Sequence, residues 1–233
     1  MKSIMTVGLA CGLLCDGQNL TIRLYNLANV PAETIDRASA VAGQVLAHAG
    51  VATVWEKGAS DSQEGWITDV SAAGRPTADT REYLVVRIVT GIPPHFCPRA
   101  TGYALPFARQ GVHVTLFYDR IEKVSVGSIV GPSTGSFLGA AMAHEIGHVL
   151  LGSTEHSAQG IMKGNWGPSE FRVIACRGLR FTPENAAALR AGAAERLAIG
   201  QFQKAPPPTL VLPVTASESY RRSLHSLRID ASR

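Results

Sequence analysis

The chain has 233 residues, of which 45% are hydrophobic and 17% charged, so it is apolar enough to form a core and too weakly charged to be disordered throughout. This length allows one ordinary domain with extra segments at its ends, or at most two small domains. Lys and Arg total 22 against 18 Asp and Glu, a net charge of +4, and the basic residues form no cluster with interleaved aromatic residues. The composition therefore argues against a nucleic-acid partner.

The N-terminus has the organisation of a secretory signal peptide. A basic start at Lys2 precedes an apolar run of about 11 residues, Ile4 to Leu14, which is too short to span a bilayer. We predict a signal peptide over residues 1–17, a secreted or periplasmic protein, and no integral membrane segment in the mature chain. The alternative is a buried N-terminal element of a cytoplasmic protein. Without the leader, Cys97 and Cys176 remain as a pair that an oxidising compartment would allow to form a disulfide.

Five segments have the alternating or β-branched composition of strands. They are Leu20–Tyr25, Val51–Trp55, Tyr83–Val89, Gly102–Pro106 and His113–Tyr118. Pro106 has no N–H to donate to a ladder, so the fourth segment suits the edge of a sheet. The polar stretch from Glu56 to Thr80 is predicted to be a surface excursion.

Three segments have helical periodicity and capping signals. They are Pro31 to Ala49, about Phe137 to Leu151 after a Gly- and Ser-rich turn from Gly127 to Gly135, and Thr182 to about Ile199. Residues 201–233 lack such a pattern and are predicted to be a disordered tail. The folded domain is therefore predicted over residues 18–200, with an N-terminal subdomain to residue 152 and a small C-terminal subdomain from 153.

The second helix contains the motif His144-Glu145-Ile146-Gly147-His148. Residues four apart on a helix project from one face, so both imidazoles can bind a single metal ion. Zinc accepts neutral imidazole nitrogens, and a catalytic zinc uses three protein ligands and leaves a fourth position for water. The motif predicts one zinc ion with Glu145 as general base for the metal-activated water.

A third ligand has to come from outside this helix. His156 lies eight residues past His148, just after the helix is expected to end at Gly152, and it is our predicted third ligand. Glu155 and Glu170 are the alternatives, the latter only if a helix carries it.

The segment from His144 to Met162 resembles the metzincin clan of zinc metallopeptidases, in which the motif H-E-x-x-H-x-x-G-x-x-H is followed by a Met-turn. Here one extra residue precedes Gly152 and another precedes His156. The resemblance implies that Met162 forms an apolar floor under the metal. The segment is also similar to uncharacterised bacterial exported proteins with an H-E-I-G-H-x-L-L-G motif.

The predicted element order from Leu20 to Met162 also resembles the metzincin N-terminal subdomain. The resemblance implies an α+β fold with a twisted, mixed and mainly parallel sheet, a backing helix and an active-site helix. It further implies that Gly102, Tyr103 and Ala104 form an edge strand along which a peptide substrate adds. We therefore expect a monomeric zinc metalloendopeptidase, the alternative being a catalytically inactive zinc-binding protein on the same scaffold.

Overall fold

The computed structural model describes residues 19–58, 83–91, 100–108, 111–127, 131–176 and 178–204. The predicted signal peptide, Cys97, most of the polar stretch after Glu56 and nearly all of the C-terminal tail lie outside these ranges. Signal cleavage, export and the Cys97–Cys176 disulfide therefore stay predictions.

The described residues form an α+β structure with five strands and five helices. In chain order the elements are β1 (Leu20–Asn26), α1 (Ala32–His48), β2 (Thr53–Lys57), β3 (Leu84–Val89), β4 (Gly102–Ala104), β5 (Val114–Phe117), α2 (Tyr118–Val126), α3 (Thr134–Leu151), α4 (Pro168–Cys176) and α5 (Pro183–Lys204). The described residues up to Gly200 form one compact unit, which contains all five strands of the sheet. In the described part of the chain, no helix combines the length and apolar character that crossing a bilayer requires.

The five strands lie in one sheet in the order β2-β1-β3-β5-β4. All neighbouring pairs are parallel except β4 and β5, which are antiparallel. The mixed, mainly parallel sheet is therefore confirmed, as is the edge position of Gly102–Ala104. Strand β3 lies in the middle, and residues on both of its faces are buried, as expected for a central strand covered on both sides.

The predicted active-site helix, α3, is buried around almost its whole circumference, and α1 packs closely against it. Two glycines of α3 permit this approach. A Cβ at Gly139 would lie 2.5 Å from the Ala38 carbonyl oxygen, and one at Gly135 would lie 2.9 Å from Arg37 Cβ. Because protein interiors leave no spare volume, both positions require glycine for α3 to lie where it does.

Four details differ from the sequence prediction. Helix α3 begins at Thr134, because the Ser133 side chain accepts a hydrogen bond from the Ser136 N–H and caps it within the segment expected to be a turn. Helix α2 follows β5 directly, α4 forms after Gly167, and neither was predicted. Helix α5 continues to Lys204, four residues into the predicted tail.

Candidate metal centre

Three histidines converge where α3 ends. The metal-binding atoms of His144, His148 and His156 all lie within 4.8 Å of one another. His144 and His148 are buried, whereas His156 is exposed. The three residues predicted as metal ligands are therefore brought together, and they form a cluster that can hold a metal ion.

Backbone carbonyls fix the orientation of both helical histidines. His144 Nδ1 donates to the Ile161 carbonyl oxygen at 2.7 Å, and His148 Nδ1 donates to the Ser153 carbonyl oxygen at 2.8 Å. Because a carbonyl oxygen can only accept, the proton must lie on Nδ1 in each ring. The Nε2 atom of each neutral ring therefore carries a free lone pair, and this arrangement is the one that metal-binding histidines ordinarily adopt.

The two Nε2 atoms are 3.1 Å apart. Burial lowers the pKa of His144 to about 4 and also lowers the pKa of His148, so both rings are neutral at pH 7. Two lone pairs that face each other at this distance repel unless a cation lies between them. A tetrahedral zinc with bonds of 2.0–2.1 Å sets its ligand nitrogens roughly 3.3–3.4 Å apart, so the observed spacing fits zinc.

The chain after α3 is turned back to bring His156 to the other two rings. Gly152 ends the helix in the left-handed conformation, at φ 59°, which glycine adopts without steric cost. Further on, the Ser157 N–H donates to the Met162 carbonyl oxygen at 2.8 Å and closes the following loop. Gly164 lies against the His156 ring, since a Cβ there would be 2.9 Å from its Cγ.

Met162 is fully buried and packs beneath the metal-binding helix. A Cβ added at Gly147 would lie 2.6 Å from Met162 Sδ. Since Gly147 lies between Glu145 and His148, the sulfur touches the helix backbone between the two histidine positions. The neighbouring residue Ile161 supplies the carbonyl that orients His144.

Glu145 lines a cleft of about 690 Å³ together with His144 and His156. Burial raises the pKa of Glu145 to about 8. The cleft is also lined by residues that the sequence did not assign to the site, among them Arg120, Val124, Phe137, Lys163, Trp166 and Phe171. The ring of Trp166 meets those of His144 and Phe137 edge to face, at 5.5 and 5.7 Å between centroids. No short motif distinguishes these residues, so only the fold reveals their place.

The edge strand β4 passes beside Glu145. A Cβ at Gly102 would lie 3.3 Å from Glu145 Cγ. The Tyr103 hydroxyl instead accepts a hydrogen bond from Arg87 at 3.0 Å. Residues adjacent along a strand point to opposite faces, so Gly102 faces the metal-binding helix and the Tyr103 side chain faces away from it.

The outer side of β4 presents backbone groups that no described strand pairs with. Phe117 N–H donates to the Thr101 carbonyl oxygen, and Leu105 N–H donates to the His113 carbonyl oxygen. In an antiparallel ladder such bonded pairs alternate, so Tyr103 is bonded to β5 while the N–H and C=O of Gly102 and Ala104 point outward. Within the described residues, no strand pairs with that outer edge.

The two alternative third ligands do not join the cluster. Glu155 is exposed, and neither carboxylate belongs to the metal-binding group that the described residues form. Glu170 does lie on a helix, α4, but it accepts hydrogen bonds from Lys163 Nζ and the Gly167 N–H, both at 2.8 Å. These donors lower the pKa of Glu170 to about 2, so it acts as an ion-pair partner and helix cap.

Cys176, at the end of α4, is exposed. Its predicted partner, Cys97, lies outside the described residues.

No model of a known protein family matches the chain, and no curated protein is detectably similar to it. Among solved structures, it is similar to a zinc-dependent peptidase from Methanocorpusculum labreanum (strain Z), with 16% sequence identity and a TM-score of 0.45. The match covers 72% of this chain and 99% of that chain. A likeness at this TM-score is too weak to assign a family or an activity, which therefore depend on the chemistry of the site.

Proposed function

We propose that this chain is a zinc-dependent metallopeptidase of metzincin-like organisation, in which His144, His148 and His156 hold one zinc ion. The observation that carries the proposal is the facing pair of His144 and His148 Nε2 atoms, 3.1 Å apart, with both Nδ1 protons committed to carbonyl oxygens. A bound zinc ion would supply Lewis-acid polarisation of the scissile carbonyl and would lower the pKa of water.

Glu145 is the general base and acid in this proposal. It lines the same cleft as His144 and His156, and no other carboxylate lines the cleft within the described residues. Its carboxylate takes a proton from the attacking water and later passes it to the leaving amine nitrogen as the C–N bond breaks. Glu145 would be favoured in the ionised form that this role needs if the three histidines held a cation, against the effect of burial.

Strand β4 is the proposed binding edge for the substrate. An extended peptide laid along its outer side would bond to the backbone groups of Gly102 and Ala104. Because Gly102 is also next to Glu145, this placement brings the peptide backbone to the general base. Met162 is proposed to support the metal from below, as in a Met-turn.

We also propose that the protein is exported, and the only support for this is the sequence of its N-terminal residues. A chain secreted or delivered to the periplasm would lose residues 1–17 and begin near Gln18, and the Cys97–Cys176 disulfide would form there. N-terminal sequencing of the mature protein tests the first point, and thiol titration with and without reductant tests the second.

The decisive experiment compares Glu145→Gln with the wild type, both zinc-loaded, on a mixed peptide library. We expect Glu145→Gln to bind as much zinc as the wild type and to cleave peptides about 10²–10⁴-fold more slowly. Cleavage by the wild type that survives in Glu145→Gln would refute the role of Glu145. One bound zinc with no wild-type cleavage would instead favour the inactive zinc-binding alternative.

A further inference from the structure

The cleft beside the histidine cluster contains an arginine that has no carboxylate partner among the described residues. Three charged side chains line it besides the histidines, namely Glu145, Lys163 and Arg120. Lys163 Nζ is paired with Glu170 at 2.8 Å. Arg120 makes no hydrogen bond or ion pair with any described residue, so its guanidinium is the lining cation that remains available to a ligand.

The fold directs Arg120 toward the cleft. Helix α2 follows β5 without a loop, and Arg120 lies in its first turn. Val124, one turn later on the same helix face, also lines the cleft. The other charged residues of α2 are exposed, and Asp119 is occupied by a hydrogen bond from the Gly91 N–H at 3.3 Å.

Arg120 is also close to the start of the proposed substrate strand. Phe117, the last residue of β5, donates its N–H to the Thr101 carbonyl oxygen at 2.9 Å. Thr101 lines the cleft and immediately precedes β4. A peptide laid along β4 would therefore pass the first turn of α2 within a few residues of the position that faces Glu145.

We propose that Arg120 selects peptide substrates that carry a carboxylate, an Asp or Glu side chain, near the scissile bond. This inference rests on the proposed function and names its substrate class. A guanidinium presents a planar fork that binds a carboxylate through two parallel hydrogen bonds. Arg120 is half-buried, so this pairing takes place partly shielded from water.

Lys163 does not substitute for Arg120 in this role. Its ammonium already has a carboxylate partner, and that partner also accepts the Gly167 N–H. Recruiting Lys163 to a substrate would leave Glu170 without its lysine. The acid preference is therefore expected to depend on Arg120 alone.

The test uses capped Ala/Gly decapeptides in pairs that differ only by Glu or Gln at one position, with that position moved along the peptide. The zinc-loaded wild type, Arg120→Gln and Arg120→Glu are compared for kcat/KM. Equilibrium binding of the same peptides is measured in a Glu145→Gln background, so that the preference is read without turnover. Arg172→Glu is the matched control, because Arg172 is exposed on α4 and does not line the cleft.

We expect the wild type to favour Glu over Gln by about tenfold at one or two positions, the size of one charge-assisted contact. Arg120→Gln should abolish this preference, Arg120→Glu should shift it toward Lys, and Arg172→Glu should retain it. Equal affinity for the Glu and Gln peptides in the wild type, or a preference that persists in Arg120→Gln, overturns the inference. Zinc content and thermal midpoint of each variant separate a lost contact from a lost fold.

Failure of the proposed function has a different signature. Arg120-dependent binding of the Glu peptides without any cleavage supports the inference and refutes the peptidase. Cleavage with no Glu preference supports the peptidase and refutes the inference. A zinc-loaded chain that neither binds nor cleaves any of the peptides refutes both.

Discussion

His144 Nε2 and His148 Nε2 lie 3.1 Å apart, and a backbone carbonyl oxygen holds the opposite nitrogen of each ring. The two carbonyls belong to Ile161 and Ser153, both outside the helix that carries the histidines. The folded chain itself therefore fixes the orientation of the two rings and the position of their Nε2 atoms. The two lone pairs repel each other, and a bound cation such as zinc would relieve that repulsion.

Removal of zinc should therefore weaken the fold without abolishing it. Helix α3 is held by core packing on several sides, unlike a zinc finger that folds only around its metal. We expect the EDTA-treated chain to keep its far-UV circular dichroism and to unfold at a lower temperature than the zinc-loaded chain. Loss of the helical signal on chelation at 25 °C would contradict this expectation and would show that the fold depends on the bound metal.

Gly147 and Met162 should behave as a coupled pair. Gly147→Ala places a methyl group 2.6 Å from Met162 Sδ, so we expect a loss of about 1–3 kcal/mol in the free energy of unfolding, together with weaker zinc binding. Met162→Ala removes the sulfur but leaves Phe181 Cε1, which would lie 2.8 Å from the same methyl group. The clash is thus relieved in part, and the double variant should cost less than the sum of the single variants by roughly 0.5 kcal/mol. Urea denaturation of all four proteins measures this coupling.

Gly43→Ala is the matched control for that cycle. Gly43 also lies inside a helix, but its added Cβ would come no closer than 3.3 Å to the Trp55 indole nitrogen and 3.6 Å to Thr53 Oγ1. If the effects of Gly147→Ala and Met162→Ala on the free energy of unfolding were strictly additive, the Met162 sulfur would not be the cause of the cost of Gly147→Ala.

Ala104→Pro should affect the substrate more than the fold. Proline removes the Ala104 N–H, which points away from β5, whereas Tyr103→Pro removes a group bonded to β5. We expect Ala104→Pro to keep its zinc and raise KM about two- to tenfold, the worth of one backbone hydrogen bond. Tyr103→Pro should mainly lower the thermal midpoint. An unchanged KM in a folded Ala104→Pro enzyme would argue against substrate addition at β4.

His113 should make the fold acid-sensitive. Burial, together with the charge of Arg196, lowers the pKa of His113 from 6.5 to about 4, and its Nδ1 accepts the Val85 N–H at 3.1 Å. Between these two pH values the unfolded chain binds a proton that the native chain does not, so stability falls as the pH falls. The effect of this residue is about 2 kcal/mol between pH 7 and pH 5.

The variant His113→Asn retains an acceptor for Val85 and cannot titrate. The free energies of unfolding of the wild type and the variant are measured by urea denaturation at pH 7 and at pH 5. EDTA is present throughout, so that the contributions of the three clustered histidines are the same in both proteins and cancel. The variant should lose about 2 kcal/mol less than the wild type on acidification. Equal losses would place the acid sensitivity elsewhere.

The sequence predicts this site well where the chemistry is local. His144, Glu145 and His148 follow from helical spacing alone, and Gly152 predicts the end of their helix. The position of His156 depends on a turn that has two residues more than the metzincin motif. Its spacing therefore did not identify it uniquely, and Glu155 and Glu170 remained alternatives for the third ligand. In the structure Glu170 lies outside the histidine cluster and instead pairs with Lys163, seven residues earlier in the chain.

What the sequence does not reveal depends on tertiary contacts. Gly135 suggested a turn, yet it lies inside α3 because close packing against α1 outweighs its low helix propensity. Glu170, three residues after Gly167, is a capping signal that would have predicted α4. Arg120 and the carbonyls of Ile161 and Ser153 have no sequence signature, since only the fold brings them to the histidines.

The most direct test of the account is the zinc content and zinc affinity of the purified chain, measured beside His156→Ala, Glu155→Gln and Glu170→Gln. We expect one zinc per chain for the wild type and for both glutamate variants, with the ion lost or bound more than about tenfold more weakly in His156→Ala. No zinc in the wild type after supplementation, or full binding by His156→Ala with loss in Glu170→Gln, would contradict it.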